Sequence, residues 1–239
     1  MKISLVIPMY NESSIIADAV KTYSSYMNGR FEDWELIFVD DGSVDACGDV
    51  VEAAHLADER IRLCRYTPNR GKGYAVRTGM LAAQGDLILF TDCDNAYGEE
   101  AIGRLADTLV DSGADIVVGS RNLSKDGYEG YTLLRKMASK AYIKVIAVAA
   151  GFKLTDSQCG MKGFRADIAK KIFSNCEVDR FAFDLEVIML ATKLGADIAE
   201  MPVKIINHRE STVHVLRDSV KMLRDVYRMK KRIKKQEIE

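Results

Sequence analysis

Three apolar runs, each ending in acids, constrain this 239-residue chain more than any other feature of it. Ile3–Ile7 runs through Pro8 toward Glu12, Trp34–Val39 into Asp40 and Asp41, and Leu87–Phe90 into Asp92 and Asp94. Runs this short and apolar read as strands buried on both faces, as in a parallel sheet. Helical periodicity fills the gaps: Asn11 or Glu12 to Met27 with Ser13 or Ser14 as cap, Asp45–Leu56, the stretch after Gly73 to Ala83, and Ala101–Ser112. Ile61–Tyr66 and Asp115–Gly119 add further strands. Such regular alternation predicts an α/β fold: an open, twisted, mainly parallel sheet with helices on both faces.

After Arg121 the pattern changes. Asn122–Thr132 is polar and glycine-bearing and reads as a loop; Leu133–Ala150 reads as a helix with Lys136, Lys140 and Lys144 along one side. Asp156–Phe164 is a turn and strand, Asp167–Phe173 and Phe183–Leu194 are helices, and Ala199–Ile206 is a last strand. Val213–Lys235 is a long basic amphipathic helix. With no repeat or linker, the expected organisation is one domain over 1–212, then the basic helix in 213–239. Within the domain, residues 1–121 form a nucleotide-binding half and 122–212 an acceptor half.

The five cysteines are scattered with no CxxC pair, which argues against a disulfide framework or a zinc site and for a reducing compartment. No run approaches the roughly 18 apolar residues of a membrane span. A net charge of −1 gives no reason to expect nucleic acid. The charge is unevenly spread, however, because six of the eight residues from Arg228 to Lys235 are basic.

Residues two apart in an extended segment point the same way, so Asp92 and Asp94 can aim two carboxylates at one point. At the carboxyl end of a parallel strand that point lies in the ligand crevice of an open α/β sheet. Two hard oxygen anions there suit a divalent cation that completes its shell with water and phosphate. Asn69-Arg70-Gly71-Lys72-Gly73 adds positive charge at a helix N-terminus, a setting that favours phosphate. It is neither GxxxxGK[ST] nor GxGxxG, since Val76 stands where the third glycine would fall, which disfavours a kinase or a nicotinamide dehydrogenase.

Together these blocks resemble family 2 glycosyltransferases of the GT-A fold, and most of all the group that loads sugar onto dolichyl or polyprenyl phosphate. The matching pieces are Pro8–Glu12, Val39–Ser43 with Asp45, Asn69–Gly79, Asp92-Cys93-Asp94, Gly119–Arg121, Asp156–Gly160 and Phe183–Glu186. The blocks DSQCG and FDLE lean toward the dolichyl-phosphate glucosyltransferase type, with mannosyltransferases as the neighbouring group. The resemblance implies that Pro8, Tyr10 and Glu12 line the nucleotide pocket, that Asp41 hydrogen-bonds the nucleobase and that Lys72 approaches the diphosphate. It implies that Asp92 helps hold the ribose and the metal shell, and that Asp94 is the main ligand of Mg²⁺ or Mn²⁺. Mannosyl members carry a side-chain amide two residues after the second aspartate, where this chain has Ala96. UDP-glucose is therefore the expected donor and GDP-mannose the alternative, with His208 or His214 as a further ligand candidate.

A sugar hydroxyl needs a carboxylate base to attack, whereas a phosphate monoester is already ionised and needs cations to orient it. Arg121 and Arg135 fall where the resemblance places arginines that grip the acceptor phosphate, a bidentate task suited to guanidinium. Asp156, Gln158 and Glu186 are expected to shape the acceptor side, and Asp156, Asp184 and Glu186 are the candidate bases, with Asp184 placed in the catalytic set. In the final helix, Leu216, Val220, Leu223, Val226 and Tyr227 recur at helical steps flanked by Arg217, Lys221, Arg224 and Arg228. That pattern suits a helix lying on an anionic membrane surface, or one packed on its own core or on a second subunit. The expectation is a metal-dependent inverting enzyme, cytoplasmic and peripheral on the cytoplasmic face of a membrane, with a homo-oligomer left open. The rivals are transfer to a saccharide hydroxyl in cell-surface polysaccharide assembly, and a nucleotide-sugar-binding protein without turnover.

Overall fold

The computed structural model describes residues 1–127, 150–207 and 215–236, with the backbone alone over 215–223. The expected helix at Leu133–Ala150, together with Arg135, Lys136, Lys140, Lys144, His208 and His214, lies outside the described residues or almost wholly so. The strands are β1 Ile3–Met9, β2 Trp34–Asp40, β3 Ile61–Arg65, β4 Leu87–Phe90, β5 Ile116–Ser120, β6 Lys162–Arg165 and β7 Ile198–Pro202. The helices are α1 Ile16–Arg30, α2 Cys47–Ala57, α3 Lys72–Ala82, α4 Glu100–Ser112, α5 Ala166–Ser174, α6 Phe183–Leu194 and α7 Val215–Lys235.

All seven strands join one sheet in the order β3-β2-β1-β4-β6-β5-β7. Every pairing is parallel except those of β6, which runs antiparallel between β4 and β5. Alternate residues of β1 serve opposite faces. Ile3, Leu5 and Ile7 pack with Tyr23 and Met27 of α1 and Leu105 and Leu109 of α4. Val6 joins Ile37, Ile88 and Phe90 against Val76 and Met80 of α3 and Ile188 of α6. Both faces are thus dry, which is why these strands read as continuous apolar runs. Burying one Leu, Ile or Phe stabilises by about 1.5–3 kcal/mol, so this two-sided core is what holds the acid-bearing strand ends in place.

Two details differ from expectation, and a third falls on one of the readings left open. Pro8 does not close β1, which continues to Met9. The β4 ladder already stops at the Val6–Phe90 pair, so at Pro8 the strand pairs only with β2 and is in effect an edge, where proline is tolerated. Helix α1 starts at Ile16, and neither Ser13 nor Ser14 caps it. Residues 11–13 are tied instead to the turn after β2: Asn11 N–H donates to Ser43 Oγ, Val44 N–H to Asn11 Oδ1, and Ser13 N–H to Asp45 Oδ2. Third, Val226, Met229 and Ile233 of α7 are buried in the core beside α6. That stretch of the helix lays its apolar stripe on the protein, so this stripe is not the membrane-facing surface.

Candidate functional site

In the chain, β1, β2 and β3 are laid down outward on one side and β4 returns to the other side of β1. The carboxyl ends of β1 and β4 therefore flank the point where the order reverses, the usual crevice of an open α/β sheet. Both non-glycine residues with positive φ among those described, Asn11 (φ 55) and Asn95 (φ 50), sit in the loops leaving these strands. Asparagine is among the few side chains that tolerate that conformation.

Asp92 and Asp94 lie just past β4, half-exposed, with Cys93 buried between them. The turn is braced from several directions. Tyr23 donates its hydroxyl to Asp92 O at 2.8 Å, Ala96 N–H donates to Asp94 Oδ1 at 3.2 Å, and Asn207 Nδ2 donates to Asn95 O at 3.0 Å. Gly160 N–H donates to the Tyr97 hydroxyl at 3.1 Å. A Cβ on Gly160 would stand 2.1 Å from Asp92 Oδ2, so only glycine fits against this carboxylate. Burial pushes the Cys93 thiol up, and the negative charges of Glu12, Asp94 and Asp92 add to it.

Lys72, the first residue of α3, reaches into this group and ion-pairs with Asp92. Burial alone would lower its pKa, but Asp92, Asp184 and Asp94 outweigh burial and hold the ammonium above its ordinary value. An ammonium drawn in by three aspartates marks the spot as a seat for positive charge. No cluster of three His, Cys, Asp or Glu with metal-holding geometry occurs among the described residues. Asp92 and Asp94 therefore fit a hard divalent cation that takes its remaining ligands from substrate phosphate and water. Asp184, in the first turn of α6, is buried and accepts from Lys162 Nζ at 2.5 Å. Burial raises its pKa, with Lys162 and Lys72 opposing.

Other expected site residues are engaged elsewhere. Asp41 is saturated: it accepts from the Tyr66 hydroxyl, Asn69 Nδ2, Arg70 N–H and Gly71 N–H, all at 2.8 Å. A carboxylate has about four acceptor positions, so Asp41 organises the Asn69–Gly71 loop. Gly71 in that loop has φ 109 and lies against Asp179 O, which a side chain would hit. The Arg121 fork is also committed, with Nε 2.6 Å and Nη2 2.9 Å from the two oxygens of Asp156. Its bidentate face is thus turned to Asp156 and not to an acceptor phosphate.

Glu186 is fully buried; it accepts the N–H groups of Glu177 and Val178 and pairs with Arg232. Two residues along a helix turn about 200°, so Glu186 points away from Asp184 and does not shape an acceptor site. Pro8, Glu12 and Gln158 are half-buried and Tyr10 is 46% exposed, along the cleft loops. Burial is the first cause raising the thiol pKa of Cys47, Cys64, Cys93, Cys159 and Cys176, so all five stay protonated and weakly nucleophilic at neutral pH.

Lys162, Tyr97, Tyr23 and Asn207 went unrecognised in the sequence. Lys162 alone carried a signal there, as the one basic residue of the Asp156–Phe164 segment.

A dolichyl-phosphate beta-glucosyltransferase of Trichomonas vaginalis is 33% identical over 84% of this chain, which spans 63% of that protein. One from Dictyostelium discoideum is 30% identical over 95% of this chain and 73% of that protein. Among solved structures, the glucosyl-3-phosphoglycerate synthase of Mycobacterium tuberculosis with Mn²⁺, UDP and glucosyl-3-phosphoglycerate superposes with a TM-score of 0.68 at 20% identity, covering 97% of this chain and 79% of that one. At that identity the likeness bears on the fold alone, and the fold is GT-A. The family model for glycosyl transferase family 2 matches residues 4–173, and the chain belongs to that family.

Proposed function

We propose that this chain is a glucosyltransferase that moves glucose from UDP-glucose to a polyprenyl phosphate with inversion, assisted by Mg²⁺ or Mn²⁺. The observation that carries it is the ion pair of Lys72 with Asp92 just past β4, two residues before Asp94, with the first turn of α6 that bears Asp184 packed against the start of α3. Donor and acceptor are suggested by the relatives, which are named as dolichyl-phosphate glucosyltransferases.

Asp92 and Asp94 would hold the cation, which when bound neutralises charge on the leaving diphosphate. Lys72 adds a second positive charge beside the same phosphates. A phosphate oxygen of the acceptor attacks C1 of the glucosyl unit; the C1–O bond to UDP breaks, and its electron pair leaves with UDP. No proton has to be removed from such an acceptor.

That economy matches the cleft. Of the three carboxylates considered as bases, Asp156 is held by Arg121 and Glu186 by two backbone N–H groups and Arg232. Asp184 keeps one oxygen on Lys162. A saccharide hydroxyl needs a carboxylate base; two of the three candidates are taken up, which supports the phosphate acceptor, and Asp184 is the one the saccharide reading would have to use. Residues 1–121 then serve the donor and 122–212 the acceptor.

No helix among the described residues is long and apolar enough to cross a membrane. The exposed Arg224, Arg228, Lys231 and Lys235 of α7 suit peripheral attachment to anionic lipid on a cytoplasmic face.

The test is to incubate the chain with a panel of radiolabelled nucleotide-sugars, Mn²⁺ or Mg²⁺, and either a polyprenyl phosphate or a soluble saccharide. Label from UDP-glucose entering the organic-extractable lipid is expected. Label appearing only on the saccharide would move the acceptor to the rival class.

A further inference from the structure

Among the described residues, Lys162 is the one lysine or arginine that is fully buried. It projects from β6, level with Phe90 of β4 and Val118 of β5. Its Nζ donates to Cys159 O at 2.7 Å and Asp184 Oδ1 at 2.5 Å, and lies 5.4 Å from the centre of the Phe90 ring. Taking an ammonium out of water costs several kcal/mol, and an apolar residue of similar volume in such a place is often as stable or more so. A core position filled this way calls for a reason beyond packing.

The reason lies in what Asp184 faces. Only its Oδ1 is bound by Lys162, and its Oδ2 has no hydrogen-bond partner among the described residues. Helices α3 and α6 begin side by side, since a Cβ on Gly73 would stand 2.7 Å from Phe183 Cβ, which brings Asp184 to the Lys72 end of α3; its charge there adds to that of Asp92 in holding the ammonium. Lys162, Asp184, Lys72 and Asp92 therefore form a row of alternating charge that runs from the sheet interior to the cleft. The α6 N-terminus adds a favourable dipole to the Asp184 carboxylate.

We infer that Lys162 is a positioning residue: it pins Asp184 from below as the second counter-ion of Lys72, so that Lys72 can leave Asp92 for the substrate diphosphate without losing a partner. This rests on the proposed function for its substrate, though not for the row of charges itself. A pair with a purely structural role would need no second anion beside Lys72. Asp184 keeps Lys162, and Lys72 keeps Asp184, as a neighbour of opposite sign both before and after Lys72 leaves Asp92.

Three variants test it: Lys162→Met, Asp184→Asn and the double variant, which removes both charges and guards against misfolding of the first. The nitrogen-15 signal of the Lys72 side-chain ammonium, assigned by its loss in Lys72→Arg, reports the row without turnover. It is expected to move alike in all three variants. For transfer, each variant is expected to lose about 100-fold in kcat with donor KM changed less than about threefold, and the double variant to lose no more than either single one. An unmoved Lys72 signal in folded Lys162→Met, or losses in kcat that multiply in the double variant, overturns the inference. A wild-type chain that moves no sugar overturns the proposed function instead, and leaves the Lys72 signal to judge the row.

Discussion

Two strands of this sheet, β2 and β4 on either side of β1, each lead into a pair of aspartates, and the pairs have opposite fates. After β2, Asp40 and Asp41 are buried; Asp40 Oδ1 accepts from Ser43 N–H, and Asp41 is filled by four donors of the Tyr66–Gly71 stretch. After β4, Asp92 and Asp94 stay half-exposed, and the cation within reach is Lys72, itself on a movable side chain. A carboxylate filled by fixed donors is a structural element, whereas one paired with an ammonium at the end of a long side chain, as Asp92 is with Lys72, can exchange it for another cation. The number of N–H groups within reach, and not the acid pair itself, separates scaffold from site.

The comparison can be broken by mutation. Asp94→Ala has the largest expected effect, a loss of transfer of about a thousandfold, because cation stabilisation of a leaving diphosphate is worth several kcal/mol. Its melting temperature is expected to stay close to wild type, and a collapse of the fold would make Asp94 a structural residue like Asp41. Asp41→Ala should do the reverse. It strands the N–H groups of Arg70 and Gly71 and is expected to cost about 3 kcal/mol in chemical denaturation, with donor KM rising more than kcat falls. Gly160→Ala sharpens the contrast, since its Cβ would push on Asp92 Oδ2. A displacement of about 1 Å is expected to lower kcat by up to about a hundredfold while denaturation is little changed.

The smallest effect concerns pH. Burial acts to raise the Asp45 pKa, but hydrogen bonds from Cys47 and Ser13 outweigh it and hold the carboxyl at about 2 against an ordinary 3.8. A depressed folded-state pKa contributes stability above the unfolded value and loses it as pH falls toward the folded one. Asp45→Asn should therefore lower stability slightly at neutral pH and flatten the acid limb between about pH 4 and 2. An acid limb unchanged from wild type would show that Asp45 does not hold the Ser13 turn.

What could be read from sequence follows the same division. β2, and α6 from Phe183 to Leu194, were legible almost to the residue because burial on every side leaves an uninterrupted apolar pattern. The Asp92–Asp94 pair was legible because it follows an apolar run directly. Strand β6, with the sequence KGFR, was less so: its antiparallel place between β4 and β5 is set by pairing with strands far from it in the chain. The engagement of Arg121 by Asp156 joins residues 35 apart, and Lys72 to Asp92 spans 20. Local propensity carries no term for such partners. The start of α1 moved for the same reason, because Asn11 and Ser13 answer to Ser43 and Asp45 before they answer to helical preference.

The most direct measurement is Mn²⁺ binding by electron paramagnetic resonance in the presence of UDP, on wild type, Asp94→Ala and Asp41→Asn. The account predicts that wild type and folded Asp41→Asn bind the ion and that Asp94→Ala does not. Mn²⁺ held equally well by Asp94→Ala would contradict it, and would move the seat of positive charge away from the end of β4.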